Sequence, residues 1–340
     1  MRERNIKLDI LRGIAALIVV LGHAIQLFDA HDKSVLYNII FSIQMPLFML
    51  ISGFSVVFSK QITDFTTYKN ALKKKSLMLL LPWFVWSVLY YVLLGNLPLI
   101  EHIQATAFHM EDAYWFLFSL WTIQLIFLTS QFLARKIKGE LLNKIFVILF
   151  CGFACLILLI IGKVVGITFL GIKYTCFYIP FFVLGWCIAL LNSRGFFSKH
   201  NKIIRLVEVI CVFIYCVLIS KYKVFQMPDA SFYILIRIFI SLLGCFIITQ
   251  IVRNVSIKSD GNIKCFMLYA GNHSLELYVV HFLVLRYISC KNINLLSIDG
   301  WFCCIGCFAI VLIISLGIIW AINCNPYMNL ICFGKKTKKQ

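Results

Sequence analysis

The sequence predicts an all-α integral membrane protein, a bundle of about ten transmembrane helices with both termini cytoplasmic. Three observations predict it. Apolar residues occupy 61% of 340 positions, and mean hydropathy is +0.92, whereas a soluble domain is about 45–50% apolar. The apolar residues gather in ten runs, each near the roughly 20 residues that span a bilayer as a helix. The loops alternate in charge. One set holds 23 of the 32 Lys and Arg residues, the opposite set holds 6, and Arg12, Arg237 and Arg286 lie within the runs. Basic loops mark the cytoplasmic side, and an odd number of spans would scramble the alternation.

The first run, 8–28, follows Arg2, Arg4 and Lys7. Arg12 and His23 interrupt it and no Ala-x-Ala site follows, so it reads as a retained helix, not a cleaved leader. The second run is 35–58. A basic loop then leads to the third, 77–95, with Lys73, Lys74 and Lys75 at its entrance. The outer loop that follows holds Glu101, His102, His109, Glu111 and Asp112 and reads as solvated, with no metal site. The fourth to eighth runs are 113–133, 145–162, 174–191, 203–220 and 231–252; the last two are 267–289 and 301–323. In lipid every backbone polar group needs an internal partner, which makes these runs helices. Residues 1–334 read as one transmembrane domain and 335–340 as a basic cytoplasmic tail, with no appended soluble domain.

A net charge of +18 would suit nucleic acid if the basic residues formed a patch. Here their placement is that of topology signals, and no nucleic-acid partner is expected. The 14 cysteines lie mostly inside apolar runs, where free cysteine acts as a small hydrophobe. Cys304-x-x-Cys307 has metal-like spacing but no His or Asp close by in sequence, and reads as packing.

Ionisable residues inside a membrane span are costly and mark functional paths. Arg12 and His23 are eleven residues apart. That is about 1,100° of helical rotation and about 16 Å of rise, so they share one face. Asp9, three residues before Arg12, can pair with it. His23 lies about 24 Å along its helix, and neutral imidazole is the natural base near pH 7. The ninth run carries Glu276 and His281. His281 is roughly 21 Å from the start of that run, close to the level of His23. Two imidazoles and a carboxylate at such depths suit one cavity; a polar clamp between helices is the competing account. Lys73–Lys75 suit an anionic phosphate at the inner mouth, or a surface anchor. The same ionisable set would suit a transporter or flippase of envelope sugars, but no paired halves with broken helices are evident.

Four motifs in order resemble the acyltransferase 3 family of membrane acyltransferases. Asn5-Ile-Lys-Leu-Asp-Ile-Leu-Arg-Gly13, followed by Val-Val-Leu-Gly-His23, resembles the family's opening with its Arg-x10-His signature. Phe41 to Phe54 is similar to its second-helix motif, Tyr114-Trp-Phe-Leu117 to a fourth-helix motif, and Ser274 to His281 to a late-helix motif. There is one departure. Where family members often carry Arg-x-x-Arg, this chain has Lys73-Lys-Lys-Ser-Leu-Met78, which supplies charge without arginine's bidentate fork. The resemblance implies a ten-helix bundle in the cell membrane. It also implies transfer of an acyl group, usually acetyl from cytoplasmic acetyl-CoA, to a hydroxyl of a cell-envelope carbohydrate. The chain resembles the short form without a soluble domain. No bound cofactor is expected, acetyl-CoA being the acyl donor. On this reading His23 is the general base, Glu276 and His281 assist it, and Trp115 supports the site. Arg12 and Lys73–Lys75 take the coenzyme's phosphates, with Asp9 supporting Arg12.

Overall fold

A computed structural model describes residues 5–94, 98–108, 114–254, 261–288 and 290–335. The chain is helical almost throughout. In order the helices are α1 (Ile6–Ile25), α2 (Val35–Ser55), α3 (Phe65–Leu94), α4 (Leu99–Phe108), α5 (Trp115–Ala134), α6 (Glu140–Val165) and α7 (Ile172–Ser193). They continue as α8 (Phe196–Lys199), α9 (Asn201–Lys221), α10 (Ser231–Asn254), α11 (Asn262–Asn272), α12 (Ser274–Arg286), α13 (Ile298–Asn323) and α14 (Pro326–Phe333). Several starts are written in the sequence as side-chain caps. Asn5 accepts from the Leu8 N–H, Ser34 from Tyr37, and Asn325 from Tyr327 and Met328, with Pro326 in the first turn of α14.

Among the described residues nine helices are long and apolar enough to cross a membrane: α1, α2, α3, α5, α6, α7, α9, α10 and α13. The run at 267–289 differs from the single helix predicted for it. It divides at His273 (φ −106°, ψ 20°) into α11 and α12. Gly271 and Asn272 are weak helix formers ahead of the break, while apolar neighbours on both sides keep the hydropathy of the whole run high. Two further differences concern short helices. The outer loop predicted as solvated contains α4, and α14 follows the last span. Of that loop's ionisable residues, His109, Glu111 and Asp112 lie outside the described residues.

Exposed side chains explain the hydropathy. Val164 is 83% exposed, Ile313 69% and Phe213 70%. Such surfaces on helices of membrane-spanning length are faces for lipid.

The chain forms two compact units, Met1–Val57 with Leu184–Ile319, and Phe58–Val183 with Trp320–Gln340. In the first, α1 packs against α2, α10, α11 and α12, and α10 packs against α2 and α9. Small residues set the closest approach. A Cβ on Gly13 would lie 2.3 Å from the Met267 carbonyl oxygen, and one on Gly271 would lie 1.9 Å from that of Asp9. The C-terminal ends of α1 and α12 are joined by a short parallel pairing of β1 (Phe28–Asp29) with β2 (Cys290–Asn294).

In the second unit α3 packs against α5 and α14, and α5 against α6. The buried Trp86 indole N–H donates to the Cys332 carbonyl at 2.8 Å, and its ring stacks on Phe333 at 6.2 Å. Gly334 ends α14 in the left-handed region (φ +63°), with its backbone against the Leu77 carbonyl.

Candidate functional site

His23 stands in the last turn of α1 and His281 in the middle of α12. Both belong to the first unit. Their ring centroids are 5.4 Å apart with planes inclined by 35°. The β1–β2 pairing fixes the ends of these helices just beyond the two rings, and Phe28 there is buried. Phe282 closes one side edge-on to His23 at 5.9 Å, and the Arg286 guanidinium lies 5.4 Å from the Phe282 ring.

Hydrogen bonds orient both imidazoles. His281 is fully buried, and its Nδ1–H donates to the Leu277 carbonyl at 2.7 Å. A carbonyl only accepts, so Nδ1 carries the proton and Nε2 is the basic nitrogen. Nε2 is itself buried with no hydrogen-bond partner among the described residues. His23 is half-buried. Its Nδ1–H donates to Gln26 Oε1 at 2.9 Å, and Gln26 Nε2–H donates to the Tyr37 hydroxyl at 2.6 Å. This chain runs from α1 to the first turn of α2 and leaves His23 Nε2 as the proton acceptor.

Arg12, at the other end of the same helix face, is held at two points. Nη1 pairs with Asp9 Oδ1 at 3.0 Å, and Nη2 donates to Ser55 Oγ at 2.7 Å. Ser55 Oγ in turn donates to the Ile51 carbonyl. Asp9 is buried, while the Arg12 side chain keeps 33% of its exposure. The guanidinium is therefore oriented by protein and still reachable.

Glu276 is fully buried, and its Oε1 pairs with His273 Nδ1 at 3.1 Å. The His273 ring lies on Tyr269 at 4.5 Å. Five residues separate Glu276 from His281, which turns them about 140° apart on one helix. The two imidazoles thus meet each other, and the carboxylate meets a third histidine at the helix break. His273, Gln26 and Tyr37 were not singled out by sequence. Gln26 lies three residues after His23, the spacing of neighbours on a helix face, and that was the available signal.

The remaining sequence candidates lie in the second unit. Lys73 and Lys74 line a cavity of about 590 Å³ with Asn70, Leu77, Met78, Gly334 and Lys335. Lys75, next along α3, is half-buried. Lys335, brought to this cavity by α14, was grouped in sequence only with the tail. Trp115 opens α5 after Tyr114, which adopts the left-handed region (φ +66°). The Trp115 ring stacks on Tyr174 at 4.0 Å and on Tyr178 at 5.4 Å. Among the described residues no cluster of three or more metal-ligating side chains occurs. The His102 ring packs against Tyr91, with centroids 4.6 Å apart and planes inclined by 33°.

The family description "Acyltransferase domain" matches residues 5–324. The chain belongs to the acyltransferase 3 family. It is therefore an all-α, multi-pass membrane member of that family. It is similar to "Nodulation protein NolL" of Sinorhizobium fredii, with 29% identity over 199 residues. That stretch covers 55% of this chain and about half, 49%, of the relative. No solved structure matches.

Proposed function

We propose that the protein is a cell-membrane O-acyltransferase. It moves an acetyl group from cytoplasmic acetyl-CoA to a hydroxyl of a cell-envelope polysaccharide or its lipid-linked precursor. The observation that carries this reading is the orientation of His23. With Nδ1–H given to Gln26, Nε2 is free to take a proton, as a general base requires.

His23 Nε2 removes the proton from the acceptor hydroxyl as that oxygen attacks the thioester carbonyl. The tetrahedral adduct collapses, a C–O bond replaces the C–S bond, and the coenzyme thiolate leaves. The proton held by His23 passes to that thiolate, so the products are O-acetyl sugar and free coenzyme, and His23 is neutral again. His281 packs beside His23 and keeps its neighbour oriented; Glu276 pairs with His273 at the start of α12. Arg12 takes a phosphate of the coenzyme at the inner end of α1. The rise of about 16 Å from Arg12 to His23 suits a long flexible arm. Lys73 and Lys74, at their own cavity in the second unit, and Lys75 beside them on α3 offer positive charge of the kind phosphates need.

The reading is tested in cells that carry or lack the gene. Base-labile O-acetyl groups on envelope polysaccharide, seen by mass spectrometry and NMR, are expected only with the protein present. Unchanged acylation together with altered delivery of the polymer to the surface would overturn it.

Two substitutions probe the supporting contacts. Arg12→Ala should raise the apparent KM for acetyl-CoA by about 10- to 100-fold, the worth of one charge-assisted phosphate contact at ~1.5–3 kcal/mol. Gln26→Leu removes the acceptor that orients His23 and should cost about tenfold in turnover, with KM for acetyl-CoA unchanged. Gln26→Glu, which keeps an acceptor at that place, should retain most of it. Steady-state assays of labelled acetyl transfer in membranes check both.

A further inference from the structure

The first unit contains a cavity that the catalytic reading does not use. It opens at the basic ends of α1, α2, α7 and α10 and measures about 180 Å³, several times the roughly 30 Å³ that one water occupies in the liquid. One wall is apolar, formed by Leu8, Leu11, Leu50, Ile51 and Phe54. The polar part of the wall carries Lys7, Gln250 and Arg253. Lys7 Nζ donates to the Arg253 carbonyl at 2.6 Å, and Arg253 Nη2 donates to Asn201 Oδ1 at 2.8 Å, which fixes the rim.

Two polar atoms of this wall have no hydrogen-bond partner among the described residues. They are Gln250 Oε1, on a side chain only 5% exposed, and Arg253 Nη1. A buried polar group without a partner costs about 1–3 kcal/mol, so two in one small cavity point to a ligand that supplies what they lack. Arg253 Nη1 and the Lys7 ammonium need an anion. Gln250 Oε1 is an acceptor and needs a hydroxyl or N–H donor. The apolar wall needs hydrocarbon. One molecule in a bilayer offers all three, an anionic glycerophospholipid with a hydroxyl in its headgroup. Basic groups at helix ends are placed to meet such headgroups.

We propose that this cavity is a specific site for such a lipid, of the phosphatidylglycerol type. Its phosphate sits between Arg253 and Lys7, its headgroup hydroxyl donates to Gln250, and the first methylenes of its acyl chains lie along Leu8, Leu11 and Phe54. The site ties the start of α1, the helix that carries Arg12 and His23, to the end of α10.

The test uses the full chain purified in phosphatidylcholine with added phosphatidylglycerol, followed by native mass spectrometry of retained lipid. One phosphatidylglycerol should remain on the wild type, in preference to phosphatidylcholine. Lys7→Gln with Arg253→Gln should lower that retention at least tenfold, and Lys7→Arg with Arg253→Lys should keep it. Gln250→Leu should abolish the preference for phosphatidylglycerol over phosphatidic acid, which lacks the hydroxyl; this variant keeps the test decisive if the double charge variant fails to fold. Equal retention of both lipids by the wild type, or unchanged retention by the double variant, would overturn the proposal. So would displacement of the lipid by coenzyme A, which would make the cavity a site for the phosphates of the soluble donor.

Discussion

His23→Ala should lower acetyl transfer by about 10²- to 10⁴-fold, the range general-base catalysis contributes, with the protein still folded and inserted. The fold is expected to survive because His23 is half-buried and sits in the last turn of α1, with an exposed residue, Gln26, as its hydrogen-bond partner. Truncation there removes one ring contact with His281 and one with Phe282 but strands no deeply buried charge. His281→Ala should differ. Its ring is fully buried, so the deletion leaves a cavity and costs stability of about 2–5 kcal/mol by analogy with other large core truncations. The two variants therefore separate chemistry from packing. For His23→Ala, the midpoint of thermal unfolding in detergent should stay near wild type while transfer of labelled acetyl disappears. Transfer at more than about a tenth of the wild-type rate at equal membrane abundance would remove His23 from its assigned role.

Much of this site was legible because membrane helices obey simple arithmetic. The rise per residue puts His23 and His281 at similar levels when 267–289 is counted as one helix; the break at His273 interrupts that count, yet the rings are 5.4 Å apart. The three-residue spacing of Asp9 and Arg12 likewise becomes an ion pair at 3.0 Å. What arithmetic along one helix does not carry is which helix lies beside it. Tyr37 reaches Gln26 only because α2 turns back against α1, and Ser55 reaches Arg12 across the same interface. The break at His273 was hidden for a different reason. Gly271, Asn272 and His273 are short or polar, but the apolar residues around them dominate any average over a span. At the break His273 Nδ1 pairs with the buried Glu276, three residues on. The short helices α4 and α14 escaped because neither is long enough to stand out as a membrane span.

Gly271→Val should abolish folded protein, and Gly271→Ala should destabilise it, against the usual trend. In an exposed helix, alanine is better than glycine by about 1 kcal/mol. At Gly271 the added Cβ would meet the Asp9 carbonyl oxygen at 1.9 Å and the Asp9 carbonyl carbon at 2.8 Å. Both are backbone atoms of α1, so no rotamer change relieves the clash and the two helices must separate. Overpacking of this kind costs about 1–3 kcal/mol or more. Valine's two further methyl groups can only add to it. Gly306 and Gly317 in α13 are the internal controls, since a Cβ at either meets nothing within 4 Å; alanine there should be neutral or mildly stabilising. The same displacement carries a functional consequence. Asp9 holds Arg12, and Gly13, the next residue, has its own close contact with the Met267 carbonyl. Any Gly271→Ala protein that still folds should therefore show a raised KM for acetyl-CoA. Fluorescence-detected size exclusion after detergent extraction reads the folded fraction, and labelled acetyl transfer reads the second effect. A Gly271→Val protein that elutes and unfolds like the wild type would mean that α1 and α11 do not approach each other through these glycines.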